Sequence, residues 1–101
     1  MSEARIERAD EGALRLVGVL DYRSGPALRE AGRALIGDSR GTLTLDCSAV
    51  ERSSSVGLSL LLAFMRDARA AGVTLRVAGL PADMEKIARV SGLLDILPMD
   101  A

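Results

Sequence analysis

The sequence predicts an α/β fold in which a mixed, mostly parallel sheet is covered by helices. Short segments with alternating apolar and polar residues, typical of strands, are separated by longer segments with apolar residues at helical spacing. A strand, a helix and a further strand in succession form a right-handed crossover and a parallel strand pair. The first two strand segments are joined by a short turn instead, which adds an antiparallel edge. The predicted order is β-β-α-β-α-β-α-β, and residues 1–101 are expected to form one domain.

Five segments are predicted to be strands, because they alternate with period two or form a short apolar run bounded by turn residues. In chain order they are residues 4–8, 13–19, 42–46, 73–77 and 94–97. The turn between the first two falls on Asp10-Glu11-Gly12, and the last segment stops at Pro98. The third segment ends in Asp46, whose side chain is expected to bond backbone N–H groups of the following loop.

Three helices are predicted between the strands, and each stops at a glycine that can take the left-handed conformation of a helix C-cap. They run from Ser24 to Gly37, from near Ser55 to Gly72, and from residue 81 or 82 to Gly92. The first offers a capping hydroxyl on Ser24 and a proline in its first turn, both typical of a helix start.

The composition argues against most routes to catalysis. The chain has 101 residues and a net charge of −1, and it contains no His and no Trp. Without His, neither a Ser-His-Asp triad nor a histidine-ligated metal site is available. The single cysteine, Cys47, excludes an internal disulfide and is expected to be a small buried hydrophobe. The balanced charge and the 2% of aromatic residues argue against nucleic-acid binding, so the composition favours a module that works by contact.

No segment is predicted to enter a membrane. The longest apolar run covers residues 60–65, whereas a transmembrane helix takes roughly 18 or more apolar residues. The charged amino terminus lacks the apolar core of a signal peptide. We therefore expect a cytoplasmic protein that reaches the membrane surface only through a partner.

The segment from residue 42 to 64 carries the most functional information. A strand ends in Asp46, a polar loop follows, Ser53-Ser54-Ser55 stand where a helix begins, and Gly57 comes two residues later. This pattern resembles the STAS domain of anti-sigma factor antagonists, in which the helix opens with Asp-Ser/Thr-x-Gly-Leu. The resemblance covers nearly the whole chain. It implies the STAS fold without a cofactor or a metal, and it makes Ser55 the phosphorylatable hydroxyl, with Ser54 standing where the family usually has an acid.

Within that family the sequence resembles in particular the small STAS subunit of bacterial Mla phospholipid-transport systems. The likeness lies in Gly18-Val-Leu-Asp21, in Leu60-Leu-Leu and in the closing segment from Gly79 to Pro98. It implies a non-enzymatic subunit that binds and stabilises a cytoplasmic ABC ATPase. One alternative is an anti-sigma factor antagonist that binds an anti-sigma factor kinase and is regulated by phosphorylation of Ser55. A third reading is a small-ligand binding module.

The second helix presents two different faces when it is projected at 100° per residue. One face is expected to pack on the sheet: Gly57, Leu58, Leu61, Phe64, Met65 and Ala68. The opposite stripe consists of Ser55, Ser59, Leu62 and Arg66, with Val56, Leu60 and Ala63 alongside. This stripe is more apolar than solvation requires, and a serine at a helix start can both cap the helix and meet a partner. The predicted partner-binding residues are Ser53, Ser54, Ser55, Val56, Ser59, Leu62, Ala63 and Arg66.

Overall fold

The computed structural model describes residues 3–99 and contains four strands, three α-helices and one short 3-10 turn. In chain order they are β1 (Arg5–Arg8), β2 (Ala13–Leu20), α1 (Gly25–Gly37), β3 (Thr42–Ser53), α2 (Ser55–Ala71), β4 (Thr74–Ala78), α3 (Ala82–Val90) and the turn Leu94–Ile96. The strands lie side by side in the order β1-β2-β3-β4. The β1–β2 pair is antiparallel, and the other two pairs are parallel. The predicted α/β class, the mixed sheet and its antiparallel edge are confirmed.

Alternation along the strands gives the sheet one apolar face and one polar face. On β3 the side chains of Leu43, Leu45 and Cys47 are fully buried, as is Val77 on β4. The intervening residues point to the other face, where Arg76 is exposed. The helices therefore cover one face of the sheet and leave the polar face uncovered. No helix within residues 3–99 combines the length and the apolar character needed to cross a bilayer.

The third strand is longer than predicted, because irregular pairing with β2 removes the alternating pattern from the sequence of its second half. β3 continues to Ser53 and bonds β2 along most of its length. The register shifts twice: Arg15 pairs with Asp46 but Val17 with Ala49, and Gly18 pairs with Val50 but Val19 with Arg52. At each shift β3 holds one residue more than β2, as in a β-bulge. Each extra residue interrupts the alternation of period two, so a strand there carries the sequence signature of a loop.

The predicted last strand is wrong. Residues Leu94–Ile96 form a 3-10 turn, and the chain reaches the sheet only afterwards, where Met99 makes a single parallel bridge to Val77. Of the apolar residues here, Leu94 is partly buried and Leu97 is buried. Their separation of three residues matches one turn of 3-10 helix and not the alternation of a strand.

Two predicted helix caps are also wrong. α1 ends at Gly37 and its C-cap is Asp38 with φ of −89°, so Gly37 keeps a helical backbone and no left-handed cap forms there. The Ser24 hydroxyl makes no capping bond; it donates to the Val19 carbonyl at 2.8 Å. The cap predicted at the end of α2 is confirmed, since Gly72 has φ of 72°.

Helix α1 lies directly on α2. A methyl group built at Gly32 would overlap the ring of Phe64, which is itself fully buried. Further along the contact, Arg29 donates two hydrogen bonds to the carboxylate of Asp67, at 2.5 and 3.1 Å. Leu60 and Ala63 lie on the same stripe of α2 and are each only 4% exposed. The sequence placed both beside the outward stripe; the α1 contact buries them instead.

The close contact between the two helices predicts opposite effects for two glycine substitutions in α1. Gly32→Ala should lower the free energy of unfolding by about 1–3 kcal/mol, because the buried Phe64 ring cannot move aside without strain. Gly37→Ala should raise it by about 0.4–1 kcal/mol, because nothing lies within 4 Å of the added methyl group and alanine restricts the unfolded chain. Urea unfolding of the two variants checks both signs, and equal stability would contradict the described packing.

Candidate functional site

The predicted site lies where β2, β3, α2 and α3 meet. The Ser54 N–H donates to the Leu20 carbonyl at 2.9 Å, which links the end of β2 to the start of α2. The Ser53 N–H donates to Asp83 of α3 at 3.2 Å. Surface at the carboxyl ends of parallel strands is the usual position of binding sites in such sheets. A cavity of about 340 Å³ opens here and includes Asp21 and Arg52 in its lining.

The three consecutive serines have three different environments. Ser54 is the N-cap of α2: its hydroxyl oxygen accepts the Val56 N–H at 3.2 Å. The Ser53 hydroxyl donates to the Ser54 carbonyl at 2.7 Å. Ser55 is exposed, and no group within residues 3–99 hydrogen-bonds its hydroxyl. The capping role considered for Ser55 therefore belongs to Ser54, and the Ser55 hydroxyl is left open to solvent.

Gly57 allows the close docking of the first turn of α2. A Cβ at this position would overlap the Ser53 hydroxyl. It would also lie 3.1 Å from Cε of Met84 on α3 and 3.2 Å from Cδ1 of Leu20 on β2. A side chain here would require the Ser53 hydroxyl to turn away and the ends of Met84 and Leu20 to shift by a few tenths of an ångström. The glycine two residues after Ser55 thus holds the serine end of the helix against the sheet.

The side chain of Asp46 stabilises β3 and does not lie at the candidate site. Its Oδ1 accepts the Ser48 N–H at 2.9 Å, beside the first register shift of β3. This backbone bond, helped by the Ser48 side chain and by Arg15 at 3.9 Å, holds the pKa of Asp46 below its usual value. Ser53 lies seven positions after Asp46, roughly 20 Å along a strand. The expected bond to backbone N–H is present, but within β3 and not in a loop.

Cys47 is an unreactive core residue, as predicted. Its side chain is fully buried. Burial, with a smaller contribution from the charge of Asp46, raises the pKa of the thiol to about 12. Because the thiolate is the nucleophilic form, this cysteine has almost none available near neutral pH.

The outward stripe of α2 consists of exposed Ser55, Ser59 and Arg66 together with partly buried Leu62. We call these four residues the α2 face. Val56 is also partly buried, and it lies beside the start of α1: a Cβ on Gly25 would come within 3.0 Å of its Cγ1. Ala63 was predicted to contact a partner, but its side chain lies inside the domain and offers almost no surface.

One exposed residue beside the site was missed by the sequence reasoning. Tyr22 is 73% exposed and lies in the loop between β2 and α1. Asp21 Oδ1 accepts the N–H groups of Arg23 and Ser24 at 2.9 and 3.2 Å, which fixes this loop. The guanidinium of Arg23 stacks 5.5 Å from the centre of the Tyr22 ring. The available signal was its position: the chain has one Tyr and one Phe, and only the tyrosine follows a strand end.

Comparisons with known proteins give both a sequence family and structural neighbours. The model of the Mlab, STAS domain family matches residues 4–98. An anti-sigma factor antagonist from Mycobacterium paratuberculosis is 28% identical with a TM-score of 0.77, over 96% of this chain and 83% of that one. The anti-sigma factor antagonist SpoIIAA in its unphosphorylated form is 20% identical with a TM-score of 0.72, over 98% and 89%. The Bacillus cell fate determinant SpoIIAA in its phosphorylated form is 19% identical with a TM-score of 0.66, over 98% and 92%.

The two SpoIIAA structures show likeness of fold alone. A comparison with curated proteins gives no match.

The different environments of the serines predict different costs of removing their hydroxyls. Ser54→Ala should lower the free energy of unfolding by about 1 kcal/mol, because the Val56 N–H loses its cap. Ser55→Ala should change it by no more than about 0.5 kcal/mol, because no bond is lost. Chemical unfolding of both variants measures the difference. A larger loss for Ser55→Ala than for Ser54→Ala would show that the cap has been assigned to the wrong serine.

Proposed function

Because the chain belongs to the STAS domain family, we propose that it is a non-enzymatic regulatory subunit of a Mla-like phospholipid ABC transporter. In this role it binds and stabilises the cytoplasmic ATPase of the transporter. The STAS fold predicted from the motif is confirmed by the family match and by the structural neighbours. The observation that carries the narrower proposal is that the matching family model is the Mlab one and extends over residues 4–98.

The surface around Ser55 has the properties that a partner-binding surface needs. Ser53, Ser54 and Ser55 have small side chains, so a partner can approach the backbone closely. The N–H groups and hydroxyls of Ser53 and Ser54 are held by hydrogen bonds, which reduces the entropy lost on binding. Leu62 adds an apolar contact in the middle of the α2 face, and Arg66 adds a charge. Val56 borders the surface on the side of α1, and Tyr22 lies in the loop that leads into α1.

The proposed mechanism is selection of one ATPase conformation. A subunit that contacts the ATPase more favourably in its active assembly shifts the population toward that assembly without taking part in the chemistry. A preference of 1.4 kcal/mol between two conformations corresponds to a tenfold shift in their ratio. The protein then reaches the membrane surface through the ATPase and needs no anchor of its own.

A second function is favoured by one comparison. The 28% identical structure from Mycobacterium paratuberculosis is an anti-sigma factor antagonist, and SpoIIAA occurs in a phosphorylated form. A phosphate on exposed Ser55 would add nearly two negative charges at the start of α2, where the helix dipole stabilises them. The same charges would repel an acidic partner, and their loss of hydration would oppose contact with an apolar one. The alternative proposal is therefore an antagonist that an anti-sigma factor kinase inactivates through Ser55.

The first test measures binding to the ABC ATPase of the Mla-like transporter from the same organism. The wild-type protein should co-purify with the ATPase and raise its activity. Ser59→Glu should weaken binding at least about tenfold, because it places bulk and a negative charge on the exposed α2 face without disturbing the core. Leu62→Asp should abolish binding, with circular dichroism confirming that the variant is folded.

Val90→Asp is the matched control, because Val90 is 83% exposed on α3. Binding by Ser59→Glu and Leu62→Asp at the wild-type level would rule out the α2 face. Absence of binding by the wild-type protein would rule out the transporter role.

The second test separates the two functions through Ser55. Under the transporter proposal, Ser55→Asp should weaken stimulation of the ATPase at least about tenfold, whereas Ser55→Ala should leave the fold intact and change stimulation less. Under the alternative, an anti-sigma factor kinase should transfer one phosphate to the wild-type protein and none to Ser55→Ala, as read by mass spectrometry. If such a kinase phosphorylates Ser55 and the protein has no effect on the ATPase, the antagonist proposal is supported and the transporter proposal is rejected.

A further inference from the structure

We propose that the α2 face continues into a surface groove that receives an acidic amphipathic segment of the partner protein. This inference rests on the proposed function in taking the α2 face as the partner-binding surface. It adds the extent of that surface and the chemistry of the segment that occupies it.

The groove consists of two adjoining cavities on the outer side of α2. The first, of about 210 Å³, is lined by Leu62, Met65, Arg66 and Arg69. The second, of about 280 Å³, shares Met65 and Arg69 and extends to Val73 and Pro98, near the end of the described chain. Positions 62, 65, 66 and 69 recur at helical spacing and continue the stripe that begins at Ser55 and Ser59. The groove and the α2 face are therefore one continuous surface.

The charge of the groove is positive and uncompensated. Arg66 and Arg69 lie one turn apart, and neither forms an ion pair within residues 3–99. No acidic residue lines either cavity. The acid next to Arg66 in the chain, Asp67, is turned toward α1 and bound by Arg29. Two unpaired guanidinium groups above an apolar floor favour carboxylates that arrive together with apolar side chains.

The shape of the groove favours a protein segment over a small molecule. Both cavities are open to solvent, whereas sites for small ligands bury most of the ligand surface. Met65 and Leu62 are only partly buried, so an apolar side chain laid along the groove would complete their burial. Carboxylates three or four residues apart on a helix would meet Arg66 and Arg69, which have the same separation. An amphipathic helix with one apolar edge and flanking acids meets both requirements.

The test uses the full chain and a designed peptide, with no ATPase present. The probe is a helix-forming peptide of Leu at i, i+3, i+4 and i+7 flanked by Glu, and its matched control has every Glu replaced by Lys. Titration of the isotope-labelled protein should shift the amide resonances of residues 62–69 and of Leu97 and Met99 with the Glu peptide only. Binding should be weak, with a dissociation constant on the order of 0.1–1 mM, because the probe lacks the rest of the partner surface.

Charge reversal on the protein should reverse the preference of the groove. Arg66→Glu and Arg69→Glu should each weaken binding of the Glu peptide at least about fivefold and strengthen binding of the Lys peptide. Arg76→Glu is the matched control, because Arg76 is exposed on the uncovered face of the sheet and forms no ion pair within residues 3–99. Equal binding of the two peptides, shifts outside the groove, or an equal effect of Arg76→Glu would overturn the proposal.

A titration with lipid vesicles distinguishes binding of a membrane surface from binding of a protein segment. Phosphatidylglycerol vesicles should leave the resonances of the groove unchanged. If the vesicles shift these resonances and the Glu peptide does not, the groove binds a lipid surface and the proposal of a protein segment is wrong. Because no ATPase enters these titrations, recognition of the Glu peptide without ATPase binding would count against the proposed function alone. ATPase binding that is insensitive to Arg66→Glu and Arg69→Glu would count against the groove alone.

Discussion

The burial of Phe64 beneath Gly32 is the contact on which the rest of the surface depends. Phe64 is the chain's only phenylalanine and is fully buried. Because α1 lies directly on its ring, this contact fixes which side of α2 faces the core. Turning the helix by one residue, about 100°, would take the ring away from Gly32 and change which residues face solvent. The packing of the core therefore determines which residues of α2 a partner can reach.

At the start of α2, the residues that stabilise the helix differ from the residue whose hydroxyl is open to solvent. Ser54 satisfies an N–H of the first turn, a bond that an aspartate at this position could also accept. Gly57 lets this turn approach β2 and α3 closely. With the cap and the close packing supplied by its neighbours, the hydroxyl of Ser55 takes part in neither. A residue in that position can be modified or contacted at little cost to the fold, which suits a switch.

Residues that look reactive in the sequence have structural explanations. Asp46 bonds the backbone beside the first register shift of β3, and Cys47 packs in the core with its thiol protonated. The extension of β3 to Ser53 has a further consequence, since it carries the sheet up to the start of α2 and replaces an expected loop with hydrogen-bonded strand. The proposed binding surface therefore stands on ordered backbone.

The sequence alone determined the α/β class, the order of elements as far as α3, the extent of α2 and the motif from Ser53 to Gly57. These follow from local periodicity and local end signals, which neighbouring residues in the chain encode. The tertiary structure decided the length of β3, the 3-10 turn in place of the last strand, and the choice of Ser54 as the cap. It also decided that Leu60 and Ala63 are buried, that Tyr22 is exposed, and that Arg66 and Arg69 share a groove. Apart from the Ser54 cap, which is a bond within the first turn of α2, each of these depends on what lies across the fold from a residue, and that neighbour is set by packing between elements far apart in the chain.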